Sequence, residues 1–119
     1  MDAPDGIDNW TTQLRKGILE LCILSLLNQG EVYAYDLVKR LAAIRGLVVT
    51  EGTVYPLLSR LRRMGVVDTR LEESKTGPAR RYYKLTPSGE HMLATMNVYW
   101  SELVRGVNGL QAEKGQRHE

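Results

Sequence analysis

Residue types that build catalytic and metal sites are scarce in this sequence. Its 119 residues include one cysteine, Cys22, and two histidines, His91 and His118. The histidines are far apart along the chain, Cys22 has no base partner near it, and no Gly-rich phosphate loop is present. A single cysteine also excludes an internal disulfide or a cysteine-based metal cluster. We therefore expect a protein that is not an enzyme and that uses no cofactor or metal.

Targeting segments are also missing. The longest strongly apolar run, residues 18–27, is far shorter than the roughly 20 residues that a membrane-spanning helix needs. The N-terminus has no basic region followed by an apolar core, which a secretory signal requires. These absences predict a cytoplasmic protein without a membrane partner.

The formal net charge of +2 is too small to indicate nucleic acid binding, but the charge is unevenly distributed. Residues 50–85 contain eight basic and four acidic side chains, a net charge of +4, and the rest of the chain contains 8 basic and 10 acidic ones. A basic segment in a nearly neutral chain indicates a site for an anionic partner.

The most informative part of this segment is the stretch 52–65. Its apolar residues recur at the i, i+3, i+4, i+7 spacing of one helix face, and they are Val54, Leu57, Leu58, Leu61 and Met64. The opposite face carries hydroxyl and guanidinium groups from Thr53, Tyr55, Ser59, Arg60, Arg62 and Arg63. Such a helix can pack on a core and touch a polyanion. Taken alone, it is equally consistent with a basic face that is only solvated.

Pro56 bears on where this helix begins. Proline lacks an N–H and is tolerated only in the first helical turn. A cap at Thr53 makes Pro56 the third helical residue, whereas a cap at Thr50 places it too deep and implies a distorted turn. We therefore expect the helix to start near Gly52 or Thr53.

Similar periodicities predict the neighbouring elements. They are a largely apolar helix from Thr11 or Thr12 to about residue 28, an edge strand at 31–33, a helix at 34–44, and strands at 66–72 and 80–85 with a polar turn between them. Two helices joined by a short turn and followed by a hairpin are typical of a winged helix-turn-helix. The predicted fold class is mainly α with a small β-hairpin.

A last helix is predicted after Thr86-Pro87, because threonine caps a helix and proline suits its first position. Its apolar residues are spaced by 3, 4, 3, 4 and 3, a heptad pattern that indicates two helices packed along each other. With the first helix, it would form a homodimer interface from Leu14, Ile18, Leu21, Leu93, Met96, Trp100, Leu103 and Val107. The predicted organisation is a flexible tail at 1–9, a winged helix-turn-helix domain at 10–86, a dimerisation helix at 87–110 and a flexible tail at 111–119.

The hairpin places cations beside the basic helix. Lysine and arginine reach phosphates and a narrow hairpin tip enters a minor groove, while hydroxyls and arginine on a helix reach base edges. The sequence therefore predicts a double-stranded DNA interface formed by Thr53, Tyr55, Ser59, Arg60, Lys75, Arg80 and Arg81. The alternative is a winged-helix module that binds a protein and not DNA.

Trp100 lies in the heptad seam and has two interpretations. One is plain packing at the interface. The other follows from symmetry, because near a two-fold axis two indoles would face each other. A gap between them would suit a planar aromatic or cationic small molecule.

Four segments in order resemble the PadR family of bacterial transcriptional regulators. They are Leu14-Arg15-Lys16-Gly17, Tyr33-Ala34-Tyr35-Asp36-Leu37, residues 52–61 and residues 77–89. The resemblance covers about residues 14–110 and includes a single C-terminal helix, as in the short subfamily. It departs at Ala34, where the family usually has glycine.

This resemblance implies a dimeric winged helix, a palindromic operator, repression of nearby genes and, often, release by an effector. By position it implies that Tyr35, Thr53, Tyr55 and Ser59 face DNA, with Lys75 and Arg80 on the wing. Trp100-Ser101 is similar to multidrug-sensing members, in which paired tryptophans sandwich flat drugs. The effector implied for Trp100 is therefore a planar small molecule.

Overall fold

The computed structural model describes residues 6–117, with side chains described as far as residue 113. In chain order its elements are α1 (Ile7–Leu27), β1 (Val32–Tyr33), α2 (Ala34–Ala42), α3 (Glu51–Arg63), β2 (Val67–Glu72), β3 (Arg80–Leu85) and α4 (Pro87–Arg117). This order confirms the predicted fold class, which is mainly helical with a small antiparallel hairpin.

The core lies where α1, α2 and α3 meet. Their inward side chains form one buried cluster whose fully buried members are Ile23, Leu24, Leu37, Leu41, Val54, Leu58 and Leu61. Each such side chain contributes about 1.5–3 kcal/mol when removed from water. The buried stripe of α3 therefore fixes which side of that helix faces outward.

The three strands form a sheet in the order β1-β3-β2, all antiparallel. β2 and β3 pair along six residues, from Val67 opposite Leu85 to Glu72 opposite Arg80. We call β2, β3 and the connecting residues 73–79 the wing. β1 pairs with β3 through two residues only, Val32 with Tyr83 and Tyr33 with Tyr82.

A glycine turn joins α3 to the wing. Gly65 has a φ of 79°, which glycine adopts without steric cost. Its N–H bonds the carbonyl of Arg62 at 3.0 Å, and the N–H of Val66 bonds that of Leu61 at 3.2 Å. This pair of bonds is the Schellman ending of a helix, as the sequence predicts for Gly65.

The start of α4 is tied to the same turn. The Thr86 hydroxyl donates to the carbonyl of Gly65 at 2.6 Å and accepts from the N–H of Gly89 at 3.0 Å. The Thr86 N–H donates to the Val66 carbonyl at 3.1 Å. Thr86 thus caps α4, as predicted, and connects it to the end of α3.

The predicted start of the first helix is wrong. α1 begins at Ile7, after Gly6 in a left-handed conformation, so residues 7–9 are helical and not part of a flexible tail. Thr11 and Thr12 do not cap the helix, because both hydroxyls donate backward to the Asp8 carbonyl, at 3.1 and 2.8 Å. This is the behaviour of threonine inside a helix. Residues 1–5 of the predicted tail lie outside the described residues.

The predicted start of α3 is also wrong. The helix begins at Glu51 with Thr50 as its N-cap residue, and the Thr50 carbonyl accepts the N–H groups of Thr53 and Val54 at 3.1 and 3.0 Å. Pro56 is therefore the sixth helical residue. Its missing N–H deprives the Gly52 carbonyl of a partner, but Gly52 and Pro56 are both exposed, so water can reach that carbonyl.

Two further boundaries differ from the prediction. α2 ends at Ala42 and not at residue 44, and α4 continues to Arg117. Residues 111–117 are therefore helical, while residues 118–119 of the predicted tail lie outside the described range. The extension begins with Gln111, Ala112 and Glu113, which favour helix strongly enough to outweigh Gly106 and Gly109.

Gly89→Ala should lower the free energy of unfolding by about 1–3 kcal/mol, the range for overpacked sites. A Cβ on Gly89 would overlap the carbonyl oxygen of Val66 and approach Leu85 Cδ2 to 3.2 Å. Gly109→Ala is the matched control in the same helix, since nothing lies within 4 Å of its Cβ position and alanine favours helix. Urea denaturation of both variants measures the difference. Equal stabilities would contradict the proposed close packing of α4 on the α3–β2 turn.

Candidate nucleic-acid interface

The outer side of α3 is polar and open to solvent. Ser59, Arg62 and Arg63 border a shallow depression there, and Tyr55 beside them is 37% exposed. We call Tyr55, Ser59, Arg62 and Arg63 the recognition face. It offers hydroxyl donors and two guanidinium groups that have no ion pair within the described side chains, which suits the phosphates and base edges of DNA.

The Tyr55 hydroxyl is held in its neutral form. Partial burial raises its pKa, and the negative charge of Glu51 raises the pKa further. The phenol therefore keeps its proton at neutral pH and can donate a hydrogen bond to a phosphate or to a base acceptor.

An aromatic cluster joins β1, α2 and the wing close to Tyr55. Tyr33, which is near enough to influence the pKa of Tyr55, has its ring centre 6.3 Å from that of Tyr35 and 5.7 Å from that of Tyr82. The Arg80 guanidinium lies 5.2 Å from the centre of the Tyr33 ring. A cation over an aromatic ring is held in place by the ring's electron density. Tyr35 and Arg80 are thus brought together near the recognition face.

Lys39 extends this surface along α2. Its ammonium group lies 5.6 Å from the centre of the Tyr35 ring, and Tyr35 is 50% exposed. A hydroxyl and an ammonium group four residues apart on a helix share one face. The first turns of α2 can therefore contact a phosphate from two side chains.

The wing separates the two arginines that the sequence placed together. Successive residues of a strand point to opposite faces of the sheet. Arg80 faces Tyr33, whereas Arg81 is half-buried on the other face and donates from Nη1 to the Thr69 hydroxyl at 3.0 Å. Lys75 is exposed in the turn between β2 and β3. Of the predicted wing residues, Lys75 and Arg80 are exposed, and Arg81 does not share the Arg80 surface.

Thr53 and Arg60 lie on the side of α3 that faces α1. Arg60 Nη2 is 3.1 Å from Glu20 Oε2 on α1, and Thr53 lines a cleft with residues of α1 while its hydroxyl is 3.2 Å from that of Thr50. The carboxylate offsets much of the Arg60 charge. The structure therefore does not place Arg60 and Thr53 with Tyr55 on the recognition face.

Sequence reasoning overlooked three accessible cations as site residues. The predicted interface contains neither Arg62 nor Arg63, which the pattern places on the basic face of the helix, nor Lys39 on α2. The helical period held the missing signal, because at about 100° per residue Arg62 lies only about 20° from Tyr55 around the axis. Lys39 follows Tyr35 by four residues, which is the spacing of neighbours on one helix face.

A second surface is apolar and lies between α1 and α4. A groove of ≈ 340 Å³ is lined by Gly17, Ile18, Leu21, Met96, Tyr99, Trp100 and Leu103. Further along the two helices, Leu14 is 43% exposed and Val107 is 44% exposed. We call this groove and its extension the α1–α4 seam. It contains seven of the eight predicted dimer-interface residues.

Leu93 is the exception and corrects the prediction. It is only 4% exposed in the single chain and belongs to the core, so it is not available to a second subunit. Ile18, Leu21 and Met96 are partly buried and pack against the same core. The heptad pattern did not distinguish packing within the chain from packing between chains.

Trp100 is 40% exposed and borders two depressions. One is the α1–α4 seam, and the other, of ≈ 390 Å³, also involves Ser101, Val104, Arg105 and Asn108. An indole between an apolar groove and a polar one can stack with a flat molecule from either side.

Two further kinds of feature are absent from the described part of the chain. None of its helices combines the length and the apolar character needed to cross a bilayer. Among the same residues, no three His, Cys, Asp or Glu side chains come together in a way that could hold a metal ion.

Fold and surface together define a winged-helix protein with a cationic, hydroxyl-rich face. Residues 23–95 match the model of the transcriptional regulator PadR-like family. A transcriptional regulator of Mycobacterium tuberculosis is 32% identical over 100 residues, which are 84% of this chain and 92% of the relative.

Solved structures agree. The chain is similar to a PadR-like transcription factor from Bacteroides fragilis, with 44% identity, a TM-score of 0.72 and coverage of 86% of this chain and 98% of the other. A PadR family regulator from Eggerthella lenta is 32% identical, with a TM-score of 0.78 and coverage of 89% and 92%. The chain belongs to the PadR-like family of transcriptional regulators, which confirms the resemblance seen in the sequence and supports a role in DNA-binding regulation.

Proposed function

We propose that this protein is a homodimeric repressor that binds a palindromic DNA operator and is released from it by a small-molecule effector. One observation supports this most directly. The recognition face of α3 adjoins the cations of α2 and the wing, while the apolar α1–α4 seam is left open in the single chain. A dimeric regulator needs a polar surface suited to DNA and an apolar surface suited to a second copy. Such a role would place the protein in the cytoplasm with DNA.

In this proposal each element has its own contact with DNA. The recognition face enters the major groove, where Tyr55 and Ser59 donate to bases or phosphates and Arg62 or Arg63 reaches guanine or a phosphate. Tyr35 and Lys39 bind the adjacent phosphates. Wing residues Lys75 and Arg80 bind the flanking backbone or the minor groove.

A second copy is the proposed occupant of the α1–α4 seam. Leu103 and Leu110 are 62% and 68% exposed, and exposed apolar residues at heptad spacing are stabilised when a matching helix covers them. A two-fold dimer would place two α3 helices in successive major grooves, about 34 Å apart. The operator would accordingly be palindromic.

The proposed effector site is at Trp100. A flat aromatic or cationic molecule bound between the two copies would change the spacing of the recognition faces, provided that it binds one spacing more tightly than the other. Each chain would contribute one half of such a site.

Arg80→Ala should weaken DNA binding for all sequences and lower the slope of log affinity against log salt by about 1 per lost phosphate contact. Arg60→Ala is the matched control, because Arg60 is paired with Glu20 and should affect DNA binding less. Fluorescence anisotropy on an operator selected from random DNA, repeated at several salt concentrations, measures both. A larger loss for Arg60→Ala, or a flat salt response of the parent protein, would contradict the proposed interface and favour a protein-binding module.

Leu103→Glu should convert the dimer into a monomer, because it places a charge in the α1–α4 seam. Folding should survive, since Leu103 is 62% exposed in the single chain. Val98→Glu is the control on the same helix, at a residue that is 58% exposed and outside the groove. Sedimentation equilibrium should show a dimer for the parent and for Val98→Glu only. If Leu103→Glu remains a dimer, another surface forms the interface.

A planar cationic dye should quench Trp100 fluorescence if the effector site is correctly placed. The test uses a Trp10→Phe background so that Trp100 is the sole tryptophan. Binding of the dye, followed independently by its own anisotropy, should be lost in Trp100→Ala. Unchanged dye binding in that variant would show that Trp100 is not part of the site.

A further inference from the structure

An ion pair ties the wing to the strand β1. Arg70 on β2 holds Glu31 with a two-pronged contact, in which Nε is 2.9 and 3.0 Å from the two carboxylate oxygens and Nη2 is 2.7 Å from Oε1. Glu31 directly precedes β1, and β3 runs between it and Arg70. The side chain of Arg70 therefore reaches across the middle strand of the sheet.

The ring of Tyr82 supports this contact from β3. Tyr82 is opposite Arg70 in the β2–β3 register, and the Arg70 guanidinium lies 4.6 Å from the centre of its ring. A planar guanidinium that stacks on a ring and binds a carboxylate with two hydrogen bonds has little freedom left. Arg70, Tyr82 and Glu31 thus form one cross-sheet unit, which we call the brace.

The wing is attached to the rest of the chain through β1 at this edge of the sheet and through contacts of α1 and α2 with β3. β2 and β3 are paired along six residues, which holds the hairpin together, whereas β1 pairs with β3 through two residues. The brace adds a third connection at the same edge. The brace is also connected to Arg80, which is proposed to bind DNA, because Tyr82 packs on Tyr33 and the Arg80 guanidinium lies over the Tyr33 ring.

The charges around the brace keep it intact at neutral pH. Hydrogen bonds from Arg70 lower the pKa of Glu31, with smaller contributions from the charges of Arg70 and Lys84. Arg70 in turn has a raised pKa because of its bonds to Glu31, and Glu72 adds a contact at 3.4 Å. Both partners are therefore charged under the conditions in which DNA is bound.

We propose that the brace sets the direction of the wing, so that the acidic residue Glu31 strengthens binding to DNA even though DNA is a polyanion. This inference rests on the proposed DNA contact of the wing. In it, Glu31 and Arg70 are positioning residues that do not themselves touch DNA. They act by holding Lys75 and Arg80 where phosphates can be reached.

Glu31→Gln separates the proposal from simple electrostatics by the sign of its effect. Removing a negative charge near a DNA-binding surface should tighten binding if charge alone matters. If the brace positions the wing, binding should instead weaken by about 1.4- to fivefold for each wing, the range that measured exposed ion pairs cover. Glu73→Gln is the matched control. It also removes one negative charge, here from the wing, but Glu73 has no ion pair within the described part of the chain.

Arg70→Lys gives a second test in which the charge is unchanged. Lysine cannot reproduce the two-pronged contact, so binding should again weaken by about 1.4- to fivefold. In the Arg70→Lys background, Glu31→Gln should cause no further loss, since the brace is already broken. Circular dichroism melting of each variant checks that the fold is retained.

A final arm shows whether the effect passes through the wing. A Lys75→Ala, Arg80→Ala background removes the two wing cations that are proposed to bind DNA, and Glu31→Gln should then have no effect on affinity. Two results would overturn the inference. One is tighter DNA binding when Glu31→Gln is made in the parent protein. The other is an undiminished loss of affinity when Glu31→Gln is made in the Lys75→Ala, Arg80→Ala protein. Failure of the parent protein to bind any selected DNA would instead overturn the proposed function, so the two failures are distinguishable.

Discussion

Burial of the apolar stripe of α3 is the constraint on which the functional surface depends. Val54, Leu58 and Leu61 are fully buried in the cluster shared with α1 and α2. A helix has one orientation once such a stripe is fixed, so Ser59 and Arg63 must point outward. The turn at Gly65 then sends the chain directly into the wing. The position of the wing beside the recognition face thus follows from the packing of a few leucine and valine side chains.

α1 connects the two surfaces of the protein. Its second half lies in the core, whereas its first half exposes apolar side chains such as Trp10 and, in the seam, Leu14. Near the middle of the helix, Arg15 Nε donates to the Gly46 carbonyl at 2.9 Å, in the segment between α2 and α3, and Glu20 holds Arg60. A shift of α1 would therefore act on the segment that precedes α3 and on Arg60 in the last turn of α3. The proposed release by an effector bound at the seam would require a physical connection of this kind.

Local patterns in the sequence were sufficient for the fold but not for all of the site. Helical spacing located α3, and alternation gave β3 at residues 80–85. Helix starts were missed because capping signals are ambiguous: Thr11 and Thr12 are good cap residues that here bond backward inside a helix. The pairs Arg60–Glu20 and Arg70–Glu31 join residues 40 and 39 positions apart, which no local pattern reveals. Local pattern also does not reveal the environment of Leu93, because its heptad position fits either the core of one chain or an interface between two.

These pairings also show that arginines of similar sequence context lie in different surroundings. Arg60 and Arg70 face carboxylates, which order the side chain and offset its charge. Arg80 lies over the ring of Tyr33, which orders the side chain. Its guanidinium has no ion pair among the described side chains, although Glu72 is opposite it in the β2–β3 register. In the proposed complex, a phosphate approaching the wing would meet a cation that is already held in place. Since ordering a free arginine side chain costs conformational entropy, a cation held by an aromatic ring is better suited to bind DNA than either a mobile or a paired one.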